Sequence, residues 1–176
     1  MLCLEYKVDK EVTSLWIKTV EAYDPDVDGM IGMDQIEEAL TEYGQSPRTY
    51  SLIHADLHPN NILIDTAGLH LIDFDDAGYG WHQYEIACAL YRYEDSVHYG
   101  ALRDALLSGY RAIRPFAHRD AELLPLFLLL RRLLMLSWAW DRPELGLRDS
   151  LPDLIDVACS RVEAFEFDVV MKRIRE

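Results

Sequence analysis

Apolar positions change rhythm twice along the chain. Val12, Leu15, Trp16, Val20 and Tyr23 fall at helical spacing within residues 11–23, and an Asp- and Gly-rich loop follows over 24–32. A second helix is predicted over 34–43, stopped by Gly44 and Pro47. The rhythm then shortens. Residues 50–53 read as a strand, and 61–64 and 69–72 as two more around a turn at 66–68. Polar loops at 54–60, with a Pro-Asn turn, and at 73–80 separate them. From residue 82 the pattern is helical again, with helices predicted over 82–97, 99–114, 119–140 and 151–166 and a basic tail after them. The expected class is α+β, mostly α, in a single domain over 1–176.

Composition narrows the partners. Half of the 176 residues are apolar and 27% are charged, which suits a folded domain with a real core. A formal net charge of -14 repels phosphate backbones, so nucleic acid and anionic membrane are not expected partners. Solubility alone accounts for such acidity, and a cationic substrate would be tolerated. Cys3, Cys88 and Cys159 are far apart and form no CxxC pair, which argues against a disulfide framework or zinc site and for a reducing, cytoplasmic setting. Cys88 and Cys159 fall in apolar helical patterns and read as core. Residues 1–10 mix charged and apolar types, unlike a signal peptide. The apolar run over 123–140 is interrupted by Pro125 and the Arg131–Arg132 pair and reads as a buried helix.

The chemistry is concentrated in two loops. His54-Ala55-Asp56-Leu57-His58-Pro59-Asn60-Asn61 holds the spacing of the kinase catalytic loop, H-R-D-x-x-x-x-N. Ile72-Asp73-Phe74-Asp75 follows after the predicted hairpin, as the metal loop D-F-G does, with Asp75 in the glycine position. Phosphoryl transfer asks the protein mainly for positioning and charge neutralisation. Asp56 is placed to orient a hydroxyl and take its proton. Asn61 and Asp73 offer two oxygen ligands from neighbouring strands, enough for a magnesium ion that keeps waters and borrows phosphate oxygens.

These residues resemble the aminoglycoside-phosphotransferase and choline-kinase superfamily, whose fold is that of protein kinases. The family loop H-G-D-x-H-x-x-N is matched by His54, Asp56, His58 and Asn61, with Ala55 replacing the glycine. The family loop I-D-[FW]-[DE]-x-A-G is matched by Ile72, Asp73, Phe74, Asp75, Ala77 and Gly78. The resemblance implies that Asp56 is the catalytic base, that Asn61 and Asp73 bind Mg2+ with ATP, that His54 braces the loop, and that His58 lines or supports the site. A later family signature, Y-D-x-A, is here Tyr84-Glu85-Ile86-Ala87; its acidic residue bonds the catalytic-loop backbone, a brace that Glu85 would make with one methylene more. The implied substrates are ATP and a small-molecule hydroxyl. The implied layout is a helical lead-in over 1–50, catalytic and metal loops over 51–80, and a helical substrate subdomain over 81–176.

The likeness covers the C-terminal lobe of that fold only. The glycines never form GxGxxG or GxxxxGK, and no ATP-gripping N-terminal lobe is legible. Two expectations follow: a phosphotransferase left incomplete in this chain, or a kinase-lobe remnant serving as a binding or dimerisation module. An uncovered lobe surface would favour a homodimer. A third reading rests on Asp24, Asp26 and Asp28, spaced as the start of a calcium loop with Gly29 at its sixth position. Its twelfth position is Gln35 instead of a bidentate Glu, so Ca2+ is the weaker expectation.

Overall fold

The strands form two separate antiparallel pairs, one built locally and one across a long loop. A computed structural model describes residues 32–140 and 142–176. The helix expected over 11–23 and the loop with Asp24, Asp26 and Asp28 lie outside the described residues. Strands β1 (Tyr50–Ile53), β2 (Ile62–Asp65), β3 (Gly68–Leu71) and β4 (Gly78–Trp81) pair as β1 with β4 and β2 with β3. The β2–β3 hairpin is the one the pattern predicts. Asp65 shapes its turn: Oδ1 accepts the N–H of Ala67 at 2.7 Å and of Gly68 at 3.1 Å.

Strand β4 was expected as loop. Gly78 and Gly80 lower its intrinsic strand preference, and the long-range ladder to β1 supplies what propensity does not. Tyr50 packs edge-on to Trp81 at 5.1 Å across the pair. A Cβ at Gly80 would lie 2.5 Å from Ile53 Cδ1, so the end of the Ile53 side chain would have to shift to admit one.

The helices are α1 (Met33–Tyr43), α2 (His82–Leu90), α3 (Tyr99–Ile113), α4 (His118–Glu122), α5 (Leu124–Trp140), α6 (Leu151–Glu163) and α7 (Phe167–Arg175). Three differ from expectation. The helix expected over 82–97 ends at Leu90; a 3-10 turn over Tyr91–Tyr93 takes over, and in the turns after it Ser96 Oγ accepts the His98 N–H at 3.1 Å. The helix expected over 119–140 breaks at Leu123, because Pro125 has no N–H to extend the ladder and serves instead in the first turn of α5. The basic tail is helix α7: Phe167, Val170 and Ile174 form a buried stripe, and Lys172, Arg173 and Arg175 sit where the helix dipole favours cations.

Two compact units divide the chain among the described residues, 45–128 and 32–44 with 129–176. In the second, α1 and α7 pack together, and α6 buries Leu151, Ile155, Ala158 and Val162 at helical spacing. The stretch His118–Trp140 has the length and hydropathy to cross a membrane, but two thirds of its apolar window is buried in the protein, as in a core helix. Leu126 and Phe127 within it are fully buried.

The first unit holds both motif loops, and α2 is its organiser. His82 donates its backbone N–H to Thr49 O at 2.9 Å, and its Nε2 meets Ser51 Oγ at 2.8 Å. Three residues on, Glu85 receives two catalytic-loop N–H groups, from His54 to Oε1 and from Ala55 to Oε2, both at 2.9 Å. One turn further, Cys88 Sγ donates to Ala55 O at 3.0 Å. The i, i+3 spacing aims Glu85 and Cys88 at the same loop.

Burial pushes the Glu85 carboxyl above its ordinary range, while the His54 and Ala55 N–H groups pull it back. Burial, then the Arg114 charge, push His82 below the ordinary histidine value of 6.5. The unfolded chain therefore takes up a proton near that value that the folded chain resists, so stability is lost as pH falls below it. Melting temperatures followed from about pH 7.5 to about 5.5 should fall less steeply in His82→Gln than in the parent; equal slopes would remove His82 from the acid response. Glu85→Gln keeps one acceptor and turns an N–H donor toward the second loop N–H. Urea unfolding should show a loss of about 1–3 kcal/mol, the cost of one opposed buried donor.

Candidate active site

The catalytic loop leaves β1 through a sharp reversal. Ala55 has φ of 65° and Asp73 a φ of 63°, and no other described non-glycine residue has a positive φ. Left-handed backbone at a residue with a Cβ costs about 1–2 kcal/mol. Both strained residues stand in the two motif loops, one beside His54-Asp56 and one at the first metal-loop carboxylate. The bidentate bond from Glu85 and the Cys88 contact hold Ala55 in that conformation. The substitution of Ala for the family glycine is therefore not neutral: it places a Cβ where glycine adopts the angle freely.

His54 is buried and joins the two loops. Its Nε2 lies 2.8 Å from Ile72 O, and a carbonyl only accepts, so Nε2 carries the hydrogen. Its ring packs against Phe74 with centroids 4.6 Å apart. Ile72 in turn donates its N–H to Asn61 O at 3.1 Å, which carries the β2–β3 ladder one step further. Through Ile72, the residue before Asp73, the metal loop is tied both to His54 and to Asn61.

Asp56 lies at the centre of the catalytic loop. Asn61 Nδ2 donates to Asp56 O at 2.9 Å and reaches Asp56 Oδ2 at 3.3 Å. Pro59–Asn61 forms a 3-10 turn with proline at its start, and this brings the buried Asn61 side chain back over the loop. His58 Nδ1 accepts the Asn60 N–H at 3.2 Å, so its Nε2 is the protonated nitrogen and faces Asp56 Oδ2 at 3.4 Å. The expected residues His54, Asp56, His58, Asn61 and Glu85 are thus in one connected network. Asp73 and Asp75 are exposed on the following loop and join it through the backbone of Ile72 and the ring of Phe74.

Among the described residues no three His, Cys, Asp or Glu side chains cluster as a self-sufficient metal site. The donor set fits a hard cation that takes few protein ligands: Asp73 offers exposed carboxylate oxygens, and Asn61, which spends its amide N–H on Asp56, keeps Oδ1 without a donor. Cys88 and the carbonyl of Ile72 were not anticipated. Their only sequence signals are the helical spacing of Cys88 from Glu85 and the place of Ile72 at a strand end.

Several known proteins are similar to this chain. The chain is 38% identical over 58 residues to the amicoumacin kinase of Bacillus subtilis (strain 168), covering 33% of this chain and 17% of that protein. It is 38% identical over 86 residues to the homoserine kinase of Acidiphilium cryptum (strain JF-5), covering 47% of this chain and 26% of that one. The structure of a microcompartment-associated aminopropanol kinase superposes with a TM-score of 0.60 at 31% identity, over 88% of this chain and 44% of that one. The amicoumacin kinase hAmiN, solved with AMP-PNP, Ca2+ and Ami, gives a TM-score of 0.70 at 23% identity, over 93% of this chain and 53% of that one, a likeness of fold. The chain thus spans about half the length of these solved kinases or less, and a smaller share of the curated relatives. The pattern of the phosphotransferase enzyme family (APH) matches residues 17–123, well over half of the 176 residues, and the chain belongs to that family.

Proposed function

We propose that this chain carries the acceptor-activating and metal-holding half of an ATP-dependent kinase acting on a hydroxyl of a small molecule. The observation that carries the reading is the double tie at Ile72, whose carbonyl takes His54 and whose N–H takes Asn61, so that the two motif loops are registered against each other. Asp56 orients the acceptor hydroxyl and takes its proton. Asn61 and His58 hold the Asp56 carboxylate in place through Oδ2. Asn61 and Asp73 would hold magnesium, which when bound neutralises charge on the transferred phosphoryl group. The relatives act on amicoumacin, homoserine and aminopropanol by name, and all three groups of enzymes support a small-molecule acceptor here.

A second reading, a binding or dimerisation module, is favoured by the hairpin itself. Ile64 is 80%, Leu69 61% and Leu71 39% exposed, and the pairing of Ile64 with Leu69 and of Ile62 with Leu71 puts them on one face of the hairpin. By itself it is a surface for self-association.

Titration calorimetry with ADP at millimolar Mg2+ separates the readings. The kinase reading expects magnesium-dependent binding that weakens at least about tenfold in Asp73→Ala, equal to about 1.4 kcal/mol. Binding equal in parent and variant, or independent of magnesium, would sink the metal role of Asp73. For the module reading, light scattering over a range of concentrations should show a dimer that Ile64→Lys dissociates; a monomer throughout would end it.

A further inference from the structure

An unexpected concentration of positive charge lies at the far end of β1 from the catalytic loop. The approach to β1, the C-terminal end of α3 and the start of α4 enclose a pocket of about 780 Å³. Arg48, Arg111 and Arg114 line it, with Pro47 and Phe116 as apolar walls. None of the three arginines has a carboxylate within ion-pair distance among the described residues. In a chain with formal net charge -14, three neighbouring unpaired guanidinium groups call for an explanation.

Two of them are fixed in place. Arg111 Nε donates to Phe116 O at 3.1 Å, and Arg114 donates from one terminal nitrogen to Pro47 O at 3.1 Å. A guanidinium has five N–H donors, so each keeps most of its donors for another acceptor. Phe116 is buried and held edge-on by Tyr110 at 5.2 Å, which stiffens the wall. Arg48 is exposed, and among the described residues its side chain makes no hydrogen bond or ion pair, so it can close on whatever enters. Arg111 taken singly would be accounted for by the helix C-terminus of α3, where cations are favoured. Arg48 comes from a different segment and has no such reason to be there. The single acidic liner, Asp120, is buried and engaged in its own interactions.

We infer that this pocket is a binding site for a small multivalent oxyanion, phosphoryl or carboxylate, gripped by Arg48, Arg111 and Arg114. Guanidinium forks match the paired oxygens of either group, and anchoring to backbone carbonyls lowers the ordering cost of binding. The four residues of β1 alone put about 13 Å between this pocket and the catalytic loop, so the two sites are separate.

The test uses the whole chain at low ionic strength without divalent cations, with inorganic pyrophosphate and citrate as probes. Pyrophosphate or citrate should raise the melting temperature and give saturable heat in calorimetry, and the binding should weaken with added salt. Whichever probe binds identifies the phosphoryl or the carboxylate source. Arg48→Gln alters an exposed side chain with no intramolecular bond and should lower affinity at least about fivefold; Arg48→Gln with Arg111→Gln should lower it at least about thirtyfold. Asp73→Asn, at the candidate metal site, should leave it unchanged. Absence of binding by both probes at millimolar concentration would overturn the inference. So would equal affinity in the folded Arg48→Gln variant, or loss of binding in Asp73→Asn.

Discussion

Two adjacent backbone N–H groups end on one carboxylate, and the candidate site depends on that arrangement. His54 and Ala55 cannot use these N–H groups in a strand ladder, because the chain turns into left-handed backbone at Ala55. A buried N–H without a partner would cost as much as the strain itself. Glu85 satisfies both from a helix whose first residue, His82, is itself bonded to the start of β1. The loop is therefore held from behind by α2, and its front, with Asp56 and His58, is left to face whatever reacts. The extra methylene of Glu85 relative to the family Asp does not prevent the bidentate contact.

The second constraint is the shortness of the β2–β3 hairpin. A two-residue turn between β2 and β3 fixes the register, so Asn61 and Ile72 become neighbours at the open end of the ladder. His54 then reaches Ile72 from the other loop. A shift of one residue would reverse the facing of every side chain on the hairpin and separate Asp73 from Asn61. Both residues with left-handed backbone, Ala55 and Asp73, stand in the two loops that this hairpin joins.

Charge is distributed unevenly over the first unit. The catalytic end of β1 carries Asp56, Asp73 and Asp75, suited to a cation, and the opposite end carries Arg48, Arg111 and Arg114, suited to an anion. His82 lies between them, and burial first, then the Arg114 charge, hold its proton affinity below the ordinary histidine range.

Local spacing singled out His54, Asp56, Asn61 and Asp73 and the family resemblance added His58, because these residues lie in short stretches of chain around one hairpin. The same holds for α1, α3 and the β2–β3 turn. Helix α7 was read as a basic tail, because Lys172, Arg173 and Arg175 obscure the stripe of Phe167, Val170 and Ile174. Strand β4 was not legible, since Gly78 and Gly80 carry no strand preference and pair only because β1 is already there. The Glu85 brace was expected from the family signature, but its split over two N–H groups was not, nor were the contact of Cys88 and the convergence of Arg48 with Arg111 and Arg114. Each of these depends on segments distant in sequence being brought together by packing, and a single chain's residue pattern encodes such meetings only through the whole core. The sequence by itself determined which polar residues the two loops hold and at what spacing; tertiary structure decided what holds the loops in place and where positive charge collects.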